Sequence, residues 1–243
     1  MKKIFKGIAF KLGANIFMNN ESKIIFYHDI HKNKKYTEMS TSINLFKKHI
    51  DELINQGYEL VSTITNDIGQ IKIQMDDGFR GIYDCYDFLI NNNIPLEVFL
   101  ITDKIGSNNY LSKSQILDLF DDNLITFSSH TSSHLNLTLC NEEKIHQELL
   151  NSKFVIEDLL HENISSLCFP MGYFSRKIVQ IAKNIGFSKM YSSIPGSYKD
   201  TIISSNVYRR NLVQFSSVFE FKSILNGGNR IVENRLLKKY FIK

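Results

Sequence analysis

The 243-residue chain is 43% hydrophobic, 12% aromatic and 22% charged, a composition that supports a substantial core and excludes disordered and collagen-like classes. Its three cysteines, Cys85, Cys140 and Cys168, include no C-x-x-C pair, which argues against a disulfide framework or a thiolate zinc site. The net charge of +4 is unevenly spread, +7 over residues 1–50 and +6 over 209–243 with −9 between, so no basic stripe for nucleic acid runs across the chain.

The opening MKKIFKGIAFKLGANIFM is basic like a signal peptide, but Lys6 and Lys11 interrupt the apolar run such a leader needs, and no stretch approaches a membrane span. On a helix, Ile4, Phe5, Ile8, Leu12 and Ile16 share a face, so residues 1–22 are expected to form a basic amphipathic extension. It either lies on a membrane surface or packs on its own domain. Short runs rich in Ile, Val and Phe then alternate with longer segments of helical period, the pattern of βα units around a parallel sheet. Strands are predicted at 23–28, 71–75, 96–101, 124–129, 166–169, 188–192 and 207–213.

Among the helices, 42–56 stops at Gly57, Ser112 with Gln115 forms a capping box, and Asn141 followed by two glutamates opens the longest helix. Ser175 to Ile185 ends at Gly186, and 215–240 reads as one or two helices broken at Asn226-Gly227-Gly228. The fold expected is α/β, a distorted (β/α)7-type barrel of parallel strands in one domain over 23–213, with a basic helical segment, 214–243, packed on it.

In such barrels chemistry sits where strands end. Asp76-Asp77-Gly78 follows the second strand, and two adjacent carboxylates cannot both be buried without a cation. A metal beside one and proton transfer by the other would resolve that cost, while an exposed Asp-Asp-Gly turn is the plain alternative. His130 and His134 stand four apart, a spacing that on one helical turn aims both imidazoles at one ion. Pro170-Met171-Gly172 is a turn able to offer backbone N–H groups to a ligand. His28 and Arg209 also lie at strand ends, whereas His31, His49, His146 and His161 read as surface residues.

Together these motifs resemble the polysaccharide deacetylases, the NodB-like carbohydrate esterases of family 4, over about residues 23–213. Asp76-Asp77-Gly78 resembles the family's Thr-Phe-Asp-Asp-Gly motif with Gln74-Met75 in the first two places, His130-Thr131-x-x-His134 matches its His-(Ser/Thr)-x-x-His motif, and Phe169-Pro170-Met171-Gly172 is similar to its Pro-Tyr-Gly turn. Cys168 stands where the family usually carries an arginine, the Asp/Trp motif is absent, and no histidine follows His161. Instead, Lys23-Ile-Ile-Phe-Tyr-His28-Asp29 looks like the late Leu-x-His motif moved to the front, as in the circularly permuted subgroup that deacetylates poly-N-acetylglucosamine.

The resemblance implies a metal-dependent hydrolase that removes N-acetyl groups from an amino sugar in a surface glycan, a polysaccharide or its lipid-linked precursor. It implies one divalent ion, zinc first and cobalt or nickel as alternatives, on Asp77, His130 and His134. Asp76 would be the base, His28 the leaving-group acid, and Met171 and Pro170 the oxyanion turn. Arg209 would orient Asp76 in place of the missing arginine, with an ordinary surface arginine as the alternative. The partner expected is an N-acetylated glycan, with no nucleic acid and with peripheral membrane association through the basic termini, in the cytoplasm or at the inner membrane face. The alternatives are an inactive glycan-binding protein of the same fold and a hydrolase of another amide.

Overall fold

The computed structural model describes residues 2–17, 19–203 and 207–242, with backbone alone for 2–6. Eight strands follow one another: β1 (Lys23–Tyr27), β2 (Gln70–Met75), β3 (Leu96–Leu100), β4 (Ile125–Ser129), β5 (Ser166–Cys168), β6 (Lys189–Tyr191), β7 (Val207–Tyr208) and β8 (Asn211–Leu212). They bond in the order β7-β6-β5-β4-β3-β2-β1-β8, all in parallel, and Glu59–Leu60 adds a short strand beside the start of β2. The predicted strand 207–213 is therefore two strands, one at each edge of the sheet, joined through Arg209 and Arg210. Eight flat strands would hold those edges about 33 Å apart, but the three peptide steps from Tyr208 to Asn211 reach only about 11 Å. The sheet must curl until its edges nearly meet.

Helices α1 (Lys2–Ile16), α2 (Ile43–Asn55), α3 (Lys113–Phe120), α4 (Glu142–Leu160), α5 (Arg176–Ile185), α6 (Val218–Leu225) and α7 (Glu233–Tyr240) accompany the sheet. Side-chain caps fix the starts of α2 to α5: Ser42, Asn141 and Ser175 accept the backbone N–H of Leu45, Lys144 and Ile178, and Ser112 with Gln115 closes a reciprocal capping box. Strand alternation divides the interior into two chemistries. Ile71, Ile73, Met75, Leu96, Val98 and Leu100 join the apolar core that includes helix residues such as Phe46, Leu119 and Leu149. Lys72, Gln74, Asp76, Glu97 and Ser128, at the alternate positions, are also buried and are joined by the polar bonds described below. The pleat thus separates the helix-facing apolar layer from a lumen that holds these polar groups beside Ile24, Phe99 and Tyr191.

α1 packs on α6 and on the 3₁₀ segment Gly228–Val232, burying Phe10 and Ala14. A Cβ on Gly13 would stand 2.3 Å from the Gly228 carbonyl oxygen, so this close crossing requires a glycine. The packed face is thus not the apolar stripe expected: Ile8, Leu12 and Ile16 point outward, 53, 57 and 69% exposed, and the side chains of Ile4 and Phe5 lie outside the described residues. α7 runs into Phe241–Ile242, which pairs with Phe174–Ser175 and stacks Phe241 on Phe174. Among the described residues no helix is long and apolar enough to cross a membrane. His146 and His161 are exposed as expected, but His31 and His49 are buried. His49 bonds the Tyr27 hydroxyl and the Ser216 carbonyl and stacks on Phe221, partners remote in sequence.

Candidate active site

Asp76 and Asp77 leave the end of β2 in opposite electrostatic situations. Asp77 and Gly78 both adopt left-handed backbone, φ 75° and 76°. Aspartate tolerates that region, and a Cβ on Gly78 would press to 2.7 Å from Leu100 Cδ2. The turn sends the two carboxylates to different partners. Asp76 is clamped bidentately by Arg210, Nη1 to Oδ1 at 2.7 Å and Nη2 to Oδ2 at 2.9 Å. Burial alone would raise the Asp76 carboxyl, but the Arg210 charge and its hydrogen bonds outweigh it and bring the pKa down to about 2. Asp77 Oδ1, also buried, has no hydrogen-bond partner among the described residues.

Two imidazoles face that orphaned oxygen. His130 Nε2 lies 3.5 Å and His134 Nε2 3.6 Å from Asp77 Oδ1. His130 Nδ1 is 2.8 Å from the Cys168 carbonyl, which can only accept, so Nδ1 carries the proton and Nε2 presents a lone pair. Burial pushes the His130 pKa down to about 4, which keeps the ring neutral as a ligand must be.

The helical-turn account of the two histidines is corrected: residues 130–134 form a loop, turned by left-handed Thr131 (φ 67°) and His134 (φ 63°). Ser129 Oγ accepts the Thr131 N–H, Thr131 Oγ1 accepts the His134 N–H, and Glu148 takes the Ser133 N–H and hydroxyl. The loop rather than a helix makes the rings converge.

One carboxylate and two imidazoles fit a divalent ion with open positions. Donor atoms about 3.3 Å apart suit bonds of 2.0–2.1 Å in tetrahedral geometry, close to the spacing here. A second cluster, Asp76, His130 and Cys168, is also compact, but Arg210 occupies Asp76 and burial raises the Cys168 thiol well above its ordinary value. The orphaned oxygen selects Asp77, His130 and His134.

Arg210, not Arg209, orients Asp76. Along 207–213 the odd positions Val207 and Val213 belong to the helix-facing core, while Tyr208 packs with the lumen cluster, so even-numbered Arg210 points inward. Arg209 points away, to the Asp200 and Pro195 carbonyls and to Glu233. Arg210 also donates to the Ser192 carbonyl, to Gln74 Oε1 and to Cys168 Sγ, and its guanidinium lies 4.1 Å over the Phe26 ring. Cys168, in the family's arginine place, is small enough to admit this guanidinium from another strand. Behind it Gln74 donates to Glu97, which also takes the Ser128 hydroxyl and pairs with Lys72 at 2.9 Å. Charges of alternating sign, Lys72, Glu97, Arg210 and Asp76, run in a bonded column through the lumen, with Gln74 as the link between Glu97 and Arg210.

A cavity of about 610 Å³ opens over the cluster, and His28, Asp76, Asp77, His130, His134 and Met171 all line it with Arg210. His28 Nδ1 is 2.6 Å from Gln214 Oε1, which leaves Nε2 for proton exchange. Met171 is left-handed (φ 56°) and exposed at the turn, while Pro170 is buried beneath it and shapes the turn without lining the cavity. Sequence reasoning missed Arg210 and Gln214, and it missed the contribution of α7, whose Arg235 and Lys239 form part of the cavity wall.

A family model described as polysaccharide deacetylase matches residues 64–190. YxkH of Bacillus subtilis strain 168, named for polysaccharide deacetylase, is 23% identical over 185 residues, covering 72% of this chain and 65% of that protein. The poly-β-1,6-N-acetyl-D-glucosamine N-deacetylase of Staphylococcus epidermidis is 28% identical over 130 residues, covering 48% of this chain and 45% of that protein. The chain thus spans less than two thirds of the length of either relative. The structure of IcaB from Ammonifex degensii superposes with a TM-score of 0.74 at 15% identity, covering 87% of this chain and 98% of that one, which shows a shared fold.

Proposed function

The chain belongs to the polysaccharide deacetylase family, and from that premise we propose that it removes the acetyl group from an N-acetylated amino sugar of a glycan, with a divalent ion, zinc first, held by Asp77, His130 and His134. The observation that carries this reading is the buried Asp77 Oδ1, which lacks a hydrogen-bond partner among the described residues yet lies 3.5 and 3.6 Å from two imidazole nitrogens. When bound, such an ion polarises the acetyl carbonyl and lowers the pKa of a water toward ~7.

The chain's own residues supply the rest. Asp76, ionised down to about pH 2, accepts the proton of the attacking water. Arg210 fixes its plane through one contact to each oxygen and leaves the remaining lone pairs open. The Met171 N–H, on a turn bordering the cavity, donates to the developing oxyanion. His28, held by Gln214, protonates the departing amine from Nε2. The exposed Ile8, Leu12 and Ile16 on the helix that carries Lys11 support peripheral attachment to an anionic membrane surface, at the inner face where a lipid-linked glycan would be met.

The test is acetate release from a panel of N-acetylated oligosaccharides with and without chelator, alongside metal content. Wild type should bind about one ion per chain and lose acetate release when stripped, and His134→Ala should lose the ion. Equal metal content in wild type and in an Asp77→Ala, His134→Ala double variant would refute the site.

A further inference from the structure

We propose that Arg235 and Lys239 form a phosphate-binding subsite in the catalytic cavity, so that the preferred substrate is a glycan whose N-acetylated sugar stands close to a phosphate ester. This rests on the deacetylase reading and adds the substrate's charge. Both residues line the cavity that holds Asp76, Asp77 and the histidines. They are four apart on α7 and so share one face.

Charge pairing sets these two apart from the other arginines near the cavity. Arg210 is paired with Asp76, Arg209 with Glu233, and Arg230 with Asp200 and Glu233. Neither Arg235 nor Lys239 has a carboxylate partner among the described residues. Asp76 and Asp77 are the acids lining the cavity, one bound by Arg210 and the other assigned to the ion. Like charges four apart on a helix repel, so α7 carries a cost that an anion between them would remove.

Lys239 is also tied to its neighbour on the helix. Lys239 Nζ donates to the Tyr240 hydroxyl at 3.3 Å, and beyond it Phe241 anchors the helix end on Phe174. The side chains of Arg235 and Lys239 are both exposed, with Val232 and Leu236 beside them on the cavity wall. An arginine fork and a lysine point charge together suit the several oxygens of a phosphoryl group. The same chemistry has two sources, a phosphodiester within a polymer and the diphosphate that joins a sugar to a lipid carrier.

The experiment compares acetate release from three substrates: a neutral N-acetylglucosamine oligosaccharide, the same oligosaccharide carrying a methyl phosphodiester, and a short-chain lipid diphosphate of it. Wild type should favour one or both phosphorylated forms in kcat/KM by about tenfold or more, the size of one charge-assisted hydrogen bond. The ratio should fall toward one in Arg235→Gln, Lys239→Gln and persist in Lys177→Gln, whose lysine pairs with Glu142 outside the cavity. Which phosphorylated substrate gains more identifies the source. Binding of the corresponding de-N-acetylated glycans, measured by calorimetry on the same proteins, reports on the subsite even if no substrate releases acetate. Equal handling of neutral and phosphorylated glycans by wild type in both measurements, or a preference that survives the double substitution, overturns the proposal.

Discussion

Removing the Arg210 guanidinium leaves Asp76 buried without its bidentate partner, and burial then drives its carboxyl upward from about 2. Arg210→Gln should therefore move the acid limb of the kcat/KM profile to higher pH while metal content stays near one ion, and an unmoved acid limb would show that Asp76 does not set it. Stability should fall by ~3–5 kcal/mol, since one partner of a buried pair remains alone. Asp29 makes a separate pH argument. Its carboxylate is buried, and Gly81 packs so closely that a Cβ there would stand 2.5 and 2.6 Å from its two oxygens. Burial lifts its pKa to about 7, above the ordinary 3.8. The folded state therefore holds this proton through a window where the unfolded chain has lost it. Its contribution to stability is complete below about pH 4 and is lost as pH rises to about 7, by on the order of 1.4 kcal/mol per pH unit. Asp29→Asn should gain stability over wild type at pH 8 relative to pH 4. A melting-temperature difference that does not change with pH would show Asp29 ionising normally.

The elements differ in how far their sequences disclose them. The strands are legible because Ile, Val and Phe recur in them, in a run in β1 and at alternate positions in β2, and several helix starts are legible because their caps are local. The metal-ligand candidates are legible as residue types, but their convergence depends on two left-handed residues, Thr131 and His134, that no periodicity reveals. Arg210 was hidden by reading 207–213 as one strand, although the parity of Val207 and Val213 against Tyr208 already distinguishes it from Arg209. His49 and His31 look like surface residues because Ser216, Phe221 and Ser40, which enclose them, come from other parts of the chain. α1 illustrates the same limit, since its apolar stripe is plain and its packing face is not. Gly13→Leu should drive the helix off Gly228 and lower the melting temperature. Leu12→Glu with Ile16→Glu should leave folding intact and reduce sedimentation with anionic vesicles. If the second variant unfolds the protein, the stripe is buried rather than free.

At the scale of the whole molecule, the curled sheet closes without a ladder between β7 and β8; two arginines carry the chain across instead. One anchors outward on Glu233 at the start of α7, and the other reaches inward to Asp76. The closure of the ring and the alignment of the proposed base are therefore a single mechanical event. Thermal motion that parts the sheet edges needs to break side-chain contacts there rather than a run of interstrand bonds, so this seam belongs to the low-energy end of the molecule's opening modes. Heating should then withdraw the guanidinium from Asp76 while most of the sheet is still intact, with amide exchange at Arg210, whose N–H bonds the Ile194 carbonyl, rising before that at Val213, which bonds Phe26 in β1. Loss of the proposed activity would precede the loss of far-ultraviolet ellipticity, and its lifetime at elevated temperature would be governed by one local fluctuation instead of by global unfolding.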